Sequence, residues 1–176
     1  MPEFSFDSKV VAILAVGEIL LVAGSACEIY AERIMHVLKS VSSKSLEKTD
    51  DQESQEQLQT LRQALLESYC SIAHFNNHDF VRQMLAYLNE MTDKGYLRFH
   101  QKDYQMIPEL YGDILANMSQ PHNRGPLLKE ILDDTILYKK VSVAVEQIHD
   151  AQVQSACRQS LHAAWQNASN FAVQFQ

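Results

Sequence analysis

Two histidines four residues apart, His74 and His78 in the run HFNNH, have a spacing that on one helix would offer both imidazoles to a single metal ion. The run lacks the glutamate that a zinc protease of this spacing uses as its base, straddles an expected helix end, and has no third ligand nearby. Asp133 and Asp134 are adjacent carboxylates, but neighbours on a helix point about 100° apart and do not converge on one ion. His149 beside Asp150, and the solitary His162, have no nucleophile in a recognisable arrangement and fit surface or capping roles. The run AGSAC, Ala23 to Cys27, is not the G-x-S-x-G of a nucleophile elbow, and no Gly-rich phosphate loop occurs. The expectation is therefore a protein without catalytic, metal-binding or cofactor-binding residues, not an enzyme. An unrecognised hydrolase, its site assembled only in space, is the lesser alternative.

The elements that would position any site are helices. The 176 residues suit a single domain, 1–176, and only 5 glycines and 4 prolines punctuate them, too few for a turn-rich β protein. A composition 46% hydrophobic and 21% charged is that of a globular chain. The net charge of -7 argues against phosphate-backbone binding, which is driven by lysine and arginine releasing counterions. Cys27, Cys70 and Cys157 are odd in number and far apart, a pattern that suits reduced packing thiols and a cytoplasmic location.

The run from Val10 to Cys27, VVAILAVGEILLVAGSAC, has nearly the length and hydropathy of a membrane span. Glu18 stands near its middle, where a carboxylate in hydrocarbon costs about 3 kcal/mol. The leader carries Glu3 and Asp7 against Lys9, the wrong flank for an export signal. Placed on one helix from Lys9 to Lys39, the residues Glu18, Ser25, Glu28, Glu32, His36 and Lys39 follow at steps of seven, three, four, four and three, a helical polar stripe. The expectation is a long buried N-terminal helix with one wet edge and no direct membrane insertion. Gly17, Gly24 and Ala31, spaced by seven, predict a close helix crossing that leucine at position 24 would disrupt.

A polar stretch at about 40–56 reads as a flexible loop, with five acids against one lysine from Glu47 to Glu56. A second helix starts near Asp51 and carries Leu58, Leu61, Leu65, Tyr69 and Ile72, and a third runs from His78 or Asp79 to Lys94, before Gly95. Tyr96 to Ile107 fits either one short β-hairpin or an irregular loop. Pro108 opens a short helix through Met118, and SQPHNRGP forms a further loop. Residues 126–176 fit one helix or two with a break near Asp150, and the alternation in VSVAV, Val141 to Val145, leaves a strand open. The fold class is mainly α, a helical bundle around the N-terminal helix.

The third helix, DFVRQMLAYLNEMTDKGYL, followed by RFHQKDYQMI, resembles a winged helix-turn-helix domain before and through its wing, which implies nucleic-acid binding. Little basic charge beyond Arg82 and Lys94 supports that alternative. In size, acidity and helical amphipathicity the chain resembles the small adaptors and chaperones of bacterial specialised secretion systems. That resemblance implies a non-enzymatic interaction module binding a segment of a larger assembly or a secreted substrate, and leaves oligomeric state and partner open. Glu18, Trp165, Phe171, Val173 and Phe175 are the candidate partner-binding residues, the last four because a terminus frays unless its apolar side chains dock.

Overall fold

A computed structural model describes residues 5–73, 77–94, 96, 110, 112, 114 and 135–173. Among the described residues the regular structure is helical, without strands. The chain groups into two compact units, residues 1–75 and 76–176.

In the first unit, α1 runs Phe6–Ala23, a 3-10 segment follows at Gly24–Tyr30, α2 is Ala31–Ser45 and α3 is Gln52–Ile72. Ser5 caps α1 by accepting the Ser8 N–H, and Asp51 caps α3 by accepting the Ser54 N–H at 2.8 Å, satisfying amides that a helix start leaves without partners. Hydrogen bonding from the Ser54 side chain, and then from its backbone N–H, holds the Asp51 carboxyl below its ordinary value.

The expected N-terminal helix is present and packs on α3, but it is divided at Gly24. This glycine has φ 52° and ψ -130°, a conformation that L side chains rarely adopt, and a Cβ added there would meet nothing within 4 Å. Position 24 is thus glycine for its backbone conformation, and the close crossing expected there is corrected. The crossing falls one heptad earlier, where a Cβ on Gly17 would lie 2.9 Å from the Cα of Ser68 on α3.

Burial on the N-terminal helices follows a single stripe: Ile13, Gly17 and Leu20, then Cys27, then Met35, Leu38, Ser42 and Ser45. The broadest buried face belongs to α3, with Leu61, Arg62, Ala64, Leu65, Leu66, Ser68, Tyr69 and Ile72. The polar stretch read as a loop from about residue 40 is helical through Ser45, which narrows the connection to Leu46–Asp51. Tertiary hydrogen bonds explain the difference. Ser42 Oγ pairs with Tyr69 Oη at 2.9 Å in a buried setting, Ser45 Oγ donates to the Ser42 carbonyl, and the buried Arg62 Nη1 donates to the Ser45 carbonyl at 2.8 Å. The guanidinium therefore meets a carbonyl that the end of α2 leaves over, where the helix dipole favours a cation.

In the second unit, α4 is His78–Asp93, α5 is Thr135–Glu146 and α6 is Ala151–Val173. Asn77 caps α4 through the Asp79 and Phe80 N–H groups, and Asp150 caps α6 through those of Gln152 and Val153. The chain from Thr135 onward is thus two helices broken at Asp150, and Val141 to Val145 is helical, with Val141 and Val145 buried and Val143 exposed as i, i+4 spacing requires. Phe80, Val81, Met84, Tyr87, Leu88 and Met91 form the buried face of α4. Lys140 ties α5 to α4 by donating to Asn89 Oδ1 and pairing with Asp93, both at 2.7 Å. Of the hairpin or loop expected at 96–107 all but Tyr96 lies outside the described residues, as does most of the short helix from Pro108, of which Leu110 and Ile114 are helical and buried.

Candidate interaction surface

The stripe that α1 buries against α3 leaves its opposite side open. Val11, Ile19 and Val22 are 65%, 56% and 85% exposed, and past the 3-10 segment Ile29 is 81% exposed. With Ala15, also exposed, Val11, Ile19 and Val22 recur at i, i+4, i+8 and i+11, so they line one side of a helix. Leu21 on α1, Tyr30 at the end of the 3-10 segment and Val37 on α2 are exposed as well. Large apolar residues gathered along one helix side, rather than scattered singly, are what interaction sites present.

Glu18 is exposed, as are Ser25, Glu28, Glu32, His36 and Lys39, the remaining members of the polar stripe. Asp7 and Glu18 are eleven residues apart, about three turns, and so lie on the same edge of α1 beside the apolar row. From Val10 to Ala31 the only charged residues are Glu18 and Glu28. The outward side of α1 is therefore apolar, with a carboxylate border. Phe6–Ser45 is also long and apolar enough to cross a membrane by length and composition, with a mean hydropathy of 2.3 in an 18-residue window of which 22% is buried.

Of the C-terminal candidates, Trp165 is half-buried and packs on Tyr138 of α5, ring centroids 4.3 Å apart and tilted by 30°. Its indole thus has a partner within its own unit. The side chains of Phe171 and Val173, and all of Phe175, lie outside the described residues. Beside the Tyr138–Trp165 pair, α5 and α6 bound an open cleft of about 260 Å³ lined by Tyr138, Ser142, Val145, Glu146, Arg158, Leu161 and His162. Arg158 donates from both Nε and Nη2 to the two carboxylate oxygens of Glu146, and this bidentate pair holds the Glu146 carboxyl below its ordinary value and the guanidinium above its own. The cleft has a carboxylate–guanidinium pair already joined, and its Ser142 hydroxyl donates to the Tyr138 carbonyl.

His78 is the first residue of α4 whereas α3 ends at Ile72, and His74, Asp133 and Asp134 lie outside the described residues. Asp150 caps α6 and His149 is exposed beside it. Among the described residues no three His, Cys, Asp or Glu side chains are grouped to hold a metal ion. Comparison of the chain with protein-family models, curated proteins and solved structures found no match to any of them.

The sequence singled out Glu18 on this surface but not Val11, Ile19, Val22 or Ile29. A helix apolar on nearly every side gives no signal of which side its own chain covers, since burial and an uncovered docking face select the same residue types. The Arg158–Glu146 cleft had a faint signal in the i, i+4 spacing of Arg158 and His162, but pairing across two helices is a tertiary fact.

Proposed function

We propose that this protein is a non-enzymatic interaction module, an adaptor or chaperone subunit that binds a segment of a larger assembly or of a secreted substrate. The observation that carries the proposal is the uncovered apolar side of α1, with Val22 85% and Ile29 81% exposed. Burying such surface drives association, and an exposed carboxylate border selects among partners. The proposal sets the protein in the cytoplasm, where the buried thiols of Cys27 and Cys157 would stay reduced.

The same exposure supports a second reading in which α1 lies on a lipid surface. Crossing a bilayer is disfavoured, because withdrawing α1 from α3 would uncover part of the buried face of α3 and bring Glu18 into hydrocarbon. Flotation of the purified protein with neutral and anionic vesicles, alongside size-exclusion chromatography with light scattering, tests the two readings. Soluble protein that stays out of the lipid fraction supports the adaptor reading, and partition into vesicles overturns it in favour of the lipid surface.

A further inference from the structure

We infer that the outward side of α1 receives an amphipathic helix of another protein whose apolar stripe is bordered by lysine or arginine. The inference rests on the interaction-module reading and adds the chemistry of the partner. Val11, Ala15, Ile19 and Val22 form a row on an 18-residue helix, about 27 Å long, which matches the i, i+4 anchors of helix-on-helix recognition. Ala12 and Ala15 are exposed beside the larger residues, and their small side chains let a second backbone approach.

Charge decides among the occupants. From Val10 to Ala31 every charge is a carboxylate, Glu18 and Glu28 being exposed, and Asp7 extends the same border one end further along α1. A second copy laid on this face would bring like-charged borders into a shared interface, on a chain already at -7. An anionic bilayer would be repelled by the same border. A helix flanked by cations meets both features, its apolar stripe on the Val11–Val22 row and its cations beside Glu18 and Glu28.

The test uses the full-length protein and a fluorescent amphipathic peptide of about 18 residues with a leucine face and lysine flanks. Its twin with glutamate flanks, phosphatidylglycerol vesicles and the light-scattering mass of the protein alone complete the set. The lysine peptide is expected to bind at least about tenfold more tightly than its twin, and its affinity to fall by at least about tenfold in Val22→Asp. Glu18→Gln should weaken binding about twofold to fivefold and reduce its salt dependence, as a border charge does. Val143→Asp, at a 58% exposed site on α5, should leave binding unchanged. Circular dichroism of Val22→Asp checks that an exposed substitution has not unfolded the unit. Equal binding of the two peptides, with loss in Val22→Asp, would overturn the basic partner and leave the docking face in place. Binding that Val22→Asp does not alter would overturn the location. Failure of both peptides to bind would overturn the inference, with a dimeric mass naming a second copy as the occupant, whereas the interaction-module reading itself would fall only to uptake by the vesicles.

Discussion

Alanine at position 17 would place a methyl carbon 2.9 Å from both the Cα and the Oγ of Ser68 and 3.0 Å from its carbonyl oxygen. Carbon contacts are most favourable at about 3.5 to 4.0 Å, so the deficit is roughly 0.6 Å or more. Two of the three atoms belong to the backbone of α3, which cannot turn aside as a side chain can. That helix is also anchored around the contact, because Leu65, Tyr69 and Ile72 are 0% exposed. Relief therefore requires α1 to lift from α3, and overpacking of this kind costs about 1 to 3 kcal/mol. Alanine recovers up to about 1 kcal/mol through its better helix propensity, which leaves an expected net loss of up to about 2 kcal/mol. Hydrogen exchange of the α3 amides, read beside urea unfolding by circular dichroism, measures this in the unit where the contact lies. Ser68→Ala alone should be neutral or slightly stabilising, because its Oγ is buried with no hydrogen-bond partner among the described residues. In the Gly17→Ala background it should restore part of the loss by removing one of the three contacts, a coupling that a double-mutant cycle isolates. A Gly17→Ala protein as stable as its parent, with unchanged exchange in α3, would refute the contact.

At Gly24 the loss should come from backbone strain alone, so Gly24→Ala and Gly24→Leu should each destabilise by about 1 to 3 kcal/mol and by similar amounts in urea unfolding; a much larger loss for leucine would restore crowding as the cause. Tyr69→Phe should cost about 1 kcal/mol by leaving the Ser42 hydroxyl buried without this partner, and combining it with Ser42→Ala should cost less than the two losses added together. The Glu146 carboxyl is held below its ordinary value of 4.5 in the folded chain, so the stabilisation it brings is present above about pH 4.5 and is lost as pH falls through the depressed value. Arg158→Gln should abolish that part of the acid response, seen as a flatter dependence of melting temperature on pH below 4.5, and an unchanged slope would count against the pairing.

Helix starts were legible because they are local. Asp51 and Asp150 lie where an oxygen-bearing side chain precedes a helical pattern, and both accept the amides that such caps satisfy. For 126–176 the sequence left one helix or two open, with slippage of the apolar pattern marking the break near Asp150 where the cap stands. Ser42 and Ser45 were not, because a serine-rich run carries the composition of a loop and becomes helical only when Tyr69 and Arg62 of α3 meet it. Gly24 was misassigned because a spacing of seven reports packing, whereas the positive φ that requires glycine leaves no periodic trace. The polar edge at Glu18 was visible in the sequence, but the bare apolar side next to it was not. Trp165 stood out as an apolar residue near a terminus, and its partner Tyr138 lies 27 positions away in sequence on another helix.

The central claim is that α1 keeps an apolar side open for a partner. Thiol labelling of Val22→Cys in the folded full-length protein, mapped by mass spectrometry and compared with Leu20→Cys on the buried stripe, tests it most directly. Val22 is 85% exposed and Leu20 is 0% exposed, so Val22→Cys should label at the rate of a solvent thiol and Leu20→Cys far more slowly. Adding the lysine-flanked peptide should slow only the former. A Val22→Cys thiol as protected as that of Leu20→Cys before any peptide is added would contradict the claim.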